Sequence, residues 1–442
     1  MDFAPHTTDE IAEMLATVGA ASVDDLFATI PSAVRLGRAL DLPPGVSELE
    51  ALADLGRLAA RNRSVDDLVC FAGAGAYDHF VPSVVWALAG RSEYYTSYTP
   101  YQPELAQGVL QTLFEYQSMV CALTGLDVSN ASLYDGATAV AEAVNLANDR
   151  PGRNRVLVAA GVDDRFVDTL RTYGHGAGYR VEVVPAGDGG RGGAPALDDD
   201  VIALVVQHPH RFGIREPAAD LFPAARAADV RAIQIFDPLS LGILAPPGDL
   251  GADIAVGEGQ VLGNHLNFGG PYLGILAARD AFVRRLPGRI VGATVDVDGR
   301  PGYVLTLQAR EQHIRREKAT SNICTNQTLM AVAATIYLAW LGPQGLRELG
   351  DRCVAKAAYA AERLTAIPGV ELLHPGAPFF KEFAVTLPAD AAAARDALVE
   401  RGFLAGVPLA EAGGRALLVA VTERRTREEI DDLAAALAEV LA

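Results

Sequence analysis

From Thr7 to about residue 85, apolar side chains recur every three or four positions in short runs broken at Pro31, at Pro43-Pro44 and at the glycine-rich turn FAGAGAY (71–77). That spacing predicts a series of short helices. The first, TTDEIAEMLATVG, sets Glu10 three residues after Thr7, so a capping box should open it and Gly19 should stop it. The texture changes between about 90 and 285. RVLVAAG (155–161), RVEVVPA (180–186), VIALVVQHP (201–209) and RAIQIFDP (231–238) are continuous apolar runs bounded by turns and separated by helical stretches. Strands of that kind suit a parallel sheet covered on both faces, so an α/β sandwich is predicted. GDGGRGGAPALDDD (187–200) reads as a solvated surface loop. A long helix should begin near Asn326. Beyond about 345 come a helix, the strands VELLHP and KEFAVTLP, a helix, the run RALLVAV and a last helix capped by Thr426 with Glu429. The expected organisation is a helical segment over 1–85, a large α/β domain over 86–340 and a smaller α+β domain over 341–442.

Half of the 442 residues are hydrophobic and 21% are charged, enough to bury a sizeable core. The formal charge of -18 argues against a non-specific grip on nucleic acid or an anionic membrane, both of which need clustered Lys and Arg. No basic and apolar leader opens the chain and no apolar run is long enough to span a bilayer, so the cytoplasm is the expected location. Cys70, Cys121, Cys324 and Cys353 lie far apart without a CxxC pair and read as buried free thiols. His208 and His210 stand two apart at a strand end, but no third ligand lies nearby; they read as solvated, and no metal is expected. FAGAGAY lacks the preceding strand and the GxGxxG spacing of a phosphate loop.

Ligands of doubly wound folds sit beyond the carboxyl ends of strands. Asp237, after RAIQIF, stands where such folds hold a carboxylate against a cofactor's ring nitrogen; it equally suits a cap for the following turn. Asp135-Gly136-Ala137-Thr138 opens an Ala-rich helix whose free amides could receive an anion, or which is simply capped. Then follows the glycine-rich stretch GEGQVLGNHLNFGGPYLG (257–274). In that order these features outline an aminotransferase-like fold of the pyridoxal phosphate (PLP) type, in which a lysine forms a Schiff base with the cofactor. The lysine should fall in 257–274, where Gln260, Asn264, His265 and Asn267 stand instead. Of 37 basic residues, the lysines are only Lys318, Lys356 and Lys381, and Lys318 is read as pairing with Glu317 or another carboxylate.

FAGAGAYDHFVPSVV (71–85), the stretch from YYTSYTPYQPE to SLYDGATAVAEA (94–143), DPLSLGILAPPGDLGADIAVGEGQ (237–260) and REKATSNICTNQTLMA (316–331) resemble the P-protein of the glycine cleavage system over nearly the whole chain. The resemblance implies a PLP fold type I architecture, with the N-terminal segment and smaller C-terminal domain as above. The family's P-protein is built of two related halves, and a chain of this length without the lysine is similar to the N-terminal half. It implies glycine decarboxylation with transfer of the aminomethyl group to the lipoyl arm of H-protein, by an α2β2 assembly whose PLP sits on the partner half. This chain is then expected to bind no cofactor alone, with Asp135, Gly136, Thr138, Asp237 and His265 a vestigial pocket. A non-catalytic scaffold or regulatory homologue is the alternative.

Four tyrosines within 94–101 cannot all serve one core face, and tyrosine pairs a large ring with a hydrogen-bonding tip. Tyr98, Tyr101, Gln102 and Glu104 are the candidates for lining the partner's glycine pocket; a packed entry loop is the alternative. Arg310, Arg315, Arg316, Lys318, Asn322 and Thr325 form a basic patch that could hold a carboxylate or orient the carrier protein. A salt-bridged helix start, capped by Asn322 or Thr325, serves as well.

Overall fold

The computed structural model describes residues 5–187, 190–193 and 195–442; residues 188, 189 and 194 of the expected loop at 187–200 lie outside the described residues. The chain divides into compact units Met1–Asn62 and Arg63–Ala442. In the first, Thr7 and Glu10 form the expected capping box on the helix Thr8–Val18, and Gly19 ends it in the left-handed region at φ 73. Ser47 and Glu50 do the same for Glu48–Ala59. Each box satisfies two amide donors that a helix start leaves free.

Residues 63–85 belong to the second unit and are less helical than their pattern predicts. Strand β1 (Val69–Cys70) pairs in parallel with a strand near the C-terminus (Phe403–Leu404), and Val85 is fully buried. The main sheet comprises β2 (Val128–Ser129), β3 (Arg155–Ala159), β4 (Arg180–Val184), β5 (Val201–His208), β6 (Arg231–Phe236), β7 (Ile254–Glu258) and β8 (Gly274–Ala278). Its order is β2-β8-β7-β6-β5-β3-β4, parallel from β7 to β4 and antiparallel where β8 joins. Both faces are covered. Helices Gly136–Ala147 and Asp164–Ala177 close one, while Gln107–Thr124 and Thr328–Thr365 contribute to a separate apolar cluster. This explains the continuous apolar runs: every side chain from Val201 to Val206 is buried, at about 1.5–3 kcal/mol for each large one.

A hairpin of β9 (Ile290–Val295) and β10 (Pro301–Thr306) follows. Helix Thr328–Thr365, broken at Gly342-Pro343, then leads to an antiparallel sheet in which the inner strand β11 (Glu382–Thr386) pairs with Ala416–Ala420. That helix corrects one expectation. By length and composition alone it is apolar enough to cross a bilayer, but half of its apolar stretch is buried inside the fold.

Candidate functional site

Several strand ends of the second unit meet in one crevice. Asp237 follows β6, Glu258 ends β7, Gln207 lies near the end of β5, and Lys381 precedes β11. The turn at 71–77 covers them. A Cβ on Gly73 would lie 2.3 Å from Glu382 Oε1 and 2.7 Å from Tyr77 Cε1, so the close approach requires glycine.

Asp237 caps the turn that follows it, and its second oxygen meets a lysine of this chain where a cofactor's ring nitrogen was the other expectation. Its Oδ1 accepts from Leu239 N (3.0 Å) and caps the turn, while Oδ2 lies 2.6 Å from Lys381 Nζ. Lys381 is 1% exposed, with Nζ 3.0 Å from His79 Nε2 and 3.7 Å from the Tyr77 ring centroid. An ammonium only donates, so His79 Nε2 accepts and the ring proton sits on Nδ1, 2.6 Å from Glu423 Oε2. Burial and the Lys381 ammonium hold His79 below the usual histidine range. Burial opposes ionisation of Glu423, but His79 and the Phe80 amide outweigh it and hold this carboxyl at about 2. The outcome is a buried chain of carboxylate, ammonium, neutral imidazole and carboxylate. Ligand atoms of His79, Cys353 and Glu423 lie within 4.8 Å of one another, yet both imidazole nitrogens are already committed.

The helix Gly136–Ala147 aims its N-terminus at the same crevice. Asp135 and Thr138 form its capping box, with Thr138 N donating to Asp135 Oδ1 at 2.8 Å. Gly136 N, an amide that could receive an anion, donates instead to Glu258 Oε2 (3.0 Å). Glu258 Oε1 accepts from Gln260 N (3.0 Å) and Leu273 N (2.9 Å). Burial pushes Glu258 up to about 7 against the pull of those three amides. Glu382, bonded to Ala74 N and Tyr77 OH, is raised by burial to about 7 as well.

Pyridoxal phosphate does not fit the crevice as its residues stand. The cavity measures about 60 Å³, room for a few waters, whereas ligand pockets run to about 300–1,000 Å³. Lys381 occupies the partner position of Asp237, and Glu258 the anion seat. Where an anchoring lysine would be expected, Gln260 bonds Tyr77 N (2.9 Å), Tyr77 O (3.2 Å) and Asn264 O (2.7 Å). His265 is exposed and stacks on Trp86, outside the crevice.

A second cluster joins segments distant in sequence. Tyr98 OH lies 3.4 Å from Thr325 Oγ1. Tyr101 OH accepts from Arg289 Nη2 (2.9 Å), which also donates to Cys324 O (2.8 Å). Tyr98 is 73% and Tyr101 56% exposed, so neither is the packed loop residue of the alternative reading. Gln102 and Glu104 are exposed beside them. Arg316 and Asn322 line an open groove of about 600 Å³ together with Glu142, Tyr173 and Arg285. Arg315 and Lys318 are exposed, and Lys318 forms no ion pair among the described residues, so the expected pairing with Glu317 is not made.

Other expectations are corrected. Arg310 gives its guanidinium to the carbonyls of Leu286, Gly288 and Leu307 and is not free to hold a carboxylate. Neither Asn322 nor Thr325 caps the long helix, which starts at Thr328 behind Gln327. His208 and His210 are buried, not solvated, each accepting a backbone amide, from Glu216 and Phe212. Cys324 is exposed, whereas Cys70 and Cys353 are buried. Sequence reasoning passed over Glu258, Tyr77, His79 and Arg289. The rarity of lysine could have directed attention to Lys381.

The family model for the glycine cleavage system P-protein matches residues 1–437. The chain is 52% identical over 453 residues to the probable glycine dehydrogenase (decarboxylating) subunit 1 of Moorella thermoacetica, covering 100% of both chains. A crystal structure of glycine decarboxylase (P-protein) of the glycine cleavage system, in inhibitor-bound form, matches at TM-score 0.93 with 49% identity and 100% of both chains covered. At 19% identity, a sphingosine-1-phosphate lyase of Burkholderia pseudomallei matches at TM-score 0.67 over 93% of this chain and 94% of its own, a likeness of fold alone. Its PLP fold type I architecture is thus the one expected, and the chain belongs to the glycine cleavage system P-protein family.

Proposed function

We propose that this chain is the subunit of a glycine dehydrogenase (decarboxylating) that completes, without holding the cofactor itself, an active site carried by a PLP-bearing partner subunit. The observation that carries the reading is the contrast between a crevice filled by Lys381 and Glu258 and a rim where Tyr98 and Tyr101 stand exposed. The cofactor, on the partner, supplies the electron sink for loss of carbon dioxide from glycine. The aminomethyl group then passes to the lipoyl arm of H-protein. This chain's part is to bind and orient: the rings of Tyr98 and Tyr101 exclude water from the partner's pocket and their hydroxyls offer hydrogen bonds to its polar groups. Gln102 and Glu104 extend that edge. Arg316, Lys318 and Asn322 supply a polar rim suited to steering an acidic carrier. The assembly is read as α2β2, in the cytoplasm.

Glycine–bicarbonate carbon exchange with PLP and lipoylated H-protein tests this on the chain alone, on a lysine-bearing partner alone and on their mixture. Exchange is expected only in the mixture. Exchange by this chain alone would place the chemistry on Lys318, Lys356 or Lys381 and end the proposal. With a competent partner that needs no help from this chain, the scaffold reading takes its place.

A further inference from the structure

Arg289 is 6% exposed and forms no ion pair among the described residues, and its Nε and Nη1 are buried without hydrogen-bond partners. A buried cation left uncompensated is costly, and a fold seldom keeps one without a use. Among the described residues, the one side chain that its hydrogen bonds reach is Tyr101. The guanidinium carbon lies 4.9 Å from the Tyr101 ring centroid, so the ring is held by its face as well as by its hydroxyl.

The base of Arg289 is rigid. Ala131 N donates to Arg289 O at 2.8 Å, tying this residue to the loop after β2. Two residues on, buried Gln117 bonds both Val291 N (2.9 Å) and Val291 O (3.0 Å). A donor so fixed also fixes what it holds. Because Arg289 donates and the phenol oxygen accepts, the Tyr101 proton is left to point away from the arginine. Tyr101 is more than half exposed, which leaves room on the solvent side for a group that accepts that proton.

We propose that Arg289 is a positioning residue that sets the Tyr101 hydroxyl as an outward donor to an oxyanion, a carboxylate or phosphate group presented at this rim by the partner subunit's site. The inference rests on the proposed shared site and names the chemistry that its rim recognises. Arg289 acts through Tyr101 and lends its positive charge to the same direction, which strengthens the donor.

The test is a double-mutant cycle in the reconstituted mixture, with Arg289→Lys and Arg289→Gln made in the native and Tyr101→Phe backgrounds. Glycine KM, kcat and the PLP concentration for half-saturation are read beside the assembled mass and the unfolding midpoint. Each Arg289 variant should weaken glycine or PLP saturation about tenfold in the native background and less than about twofold with Tyr101→Phe, since residues in one network are not additive. A shift confined to glycine KM identifies the substrate carboxylate; one confined to PLP saturation identifies the phosphate. Equal losses in both backgrounds, or failure of both Arg289 variants to fold while Tyr101→Phe folds, would mark Arg289 as structural and overturn the proposal. If Tyr101→Phe is silent while Tyr98→Phe lowers turnover, this inference falls and the shared site stands. If neither tyrosine variant moves activity, both fall.

Discussion

In the crevice, Asp237 has Lys381, Lys381 has His79, His79 has Glu423, and the amide that opens the helix at Gly136 has Glu258. At the rim, two tyrosine rings face outward and a buried guanidinium keeps two nitrogens without partners. Both sites lie in one unit built by one fold. The difference teaches where to look for function in a chain that resembles an enzyme half: a site that satisfies itself needs nothing from outside, while a site with unmet hydrogen-bonding capacity is shaped for something the chain does not contain.

The largest test of that comparison is Lys381→Met. It leaves Asp237 Oδ2 and His79 Nε2 without their shared partner, and breaking a buried pair by removing one partner costs about 3–5 kcal/mol. Urea unfolding should show a loss of that size. Borohydride trapping with PLP should leave Lys381 unlabelled in the native chain; labelling there would give the crevice a live amine and erase the contrast.

Next in size is a pH effect at Glu258. Its folded pKa of about 7 lies above the unfolded value of about 4.3, so between those limits the folded chain binds the extra proton and its stability falls as pH rises. At 1.36 kcal/mol per pH unit, the whole slope is worth roughly 4 kcal/mol. Glu258→Gln has no such proton to lose. The stability of the native chain minus that of the variant should therefore decline from about pH 4.5 to about pH 7 and level off above it. A difference that stays flat across that window would show that Glu258 ionises freely and that the anion seat is less closed than its three amide bonds indicate.

The sequence displayed most of the fold and only part of the sites. Near-continuous Val and Ile runs announce a doubly covered parallel strand, so β3, β5 and β6 fall where the pattern puts them, whereas β4 lies at its expected place but, as the sheet's edge strand, is mostly exposed. Thr7 with Glu10 and Thr426 with Glu429 are local devices and are as legible. Lys381 on Asp237 is different. The pair spans 144 positions, and nothing in the spacing of either residue names the other. His208 and His210 are buried by packing that their local spacing does not reveal, His210 with its ring 6.4 Å from that of His374. Tyr98 and Tyr101 stand out in the sequence because four rings in eight residues overload any single face, and both are exposed in the structure. Arg289, one arginine among 34, carried no such mark.

On the rim side, Tyr98→Phe and Tyr101→Phe each remove one hydroxyl from an exposed ring. Turnover of the mixed complex should fall about tenfold, near 1.4 kcal/mol of barrier, as expected for a hydrogen bond to a polar partner. Unfolding of this chain alone should move by less than about 0.5 kcal/mol for Tyr98→Phe, as for other surface changes, and by about 1 kcal/mol for Tyr101→Phe, which takes an acceptor from buried Arg289. The sharpness of the comparison depends on that separation. A stability loss with unchanged turnover would turn the rim into an ordinary packed loop.

The smallest effect sits in the basic segment beside the rim. Arg316 holds φ 57 and ψ -132, a region where a Cβ crowds the backbone and which residues other than glycine seldom enter. Such strain costs about 1–3 kcal/mol, and glycine would relieve it while returning about 0.5–1 kcal/mol of entropy to the unfolded chain. Arg316→Gly should therefore stabilise this subunit by roughly 1 kcal/mol, read from its urea midpoint. The same variant should lower turnover in the mixture or raise the concentration of H-protein needed for half-saturation, because a strained residue kept at a rim is kept for its side chain. Stabilisation without any change in either kinetic quantity would separate the basic groove from the tyrosine cluster, and leave Tyr98, Tyr101 and Arg289 as the whole of this chain's contribution.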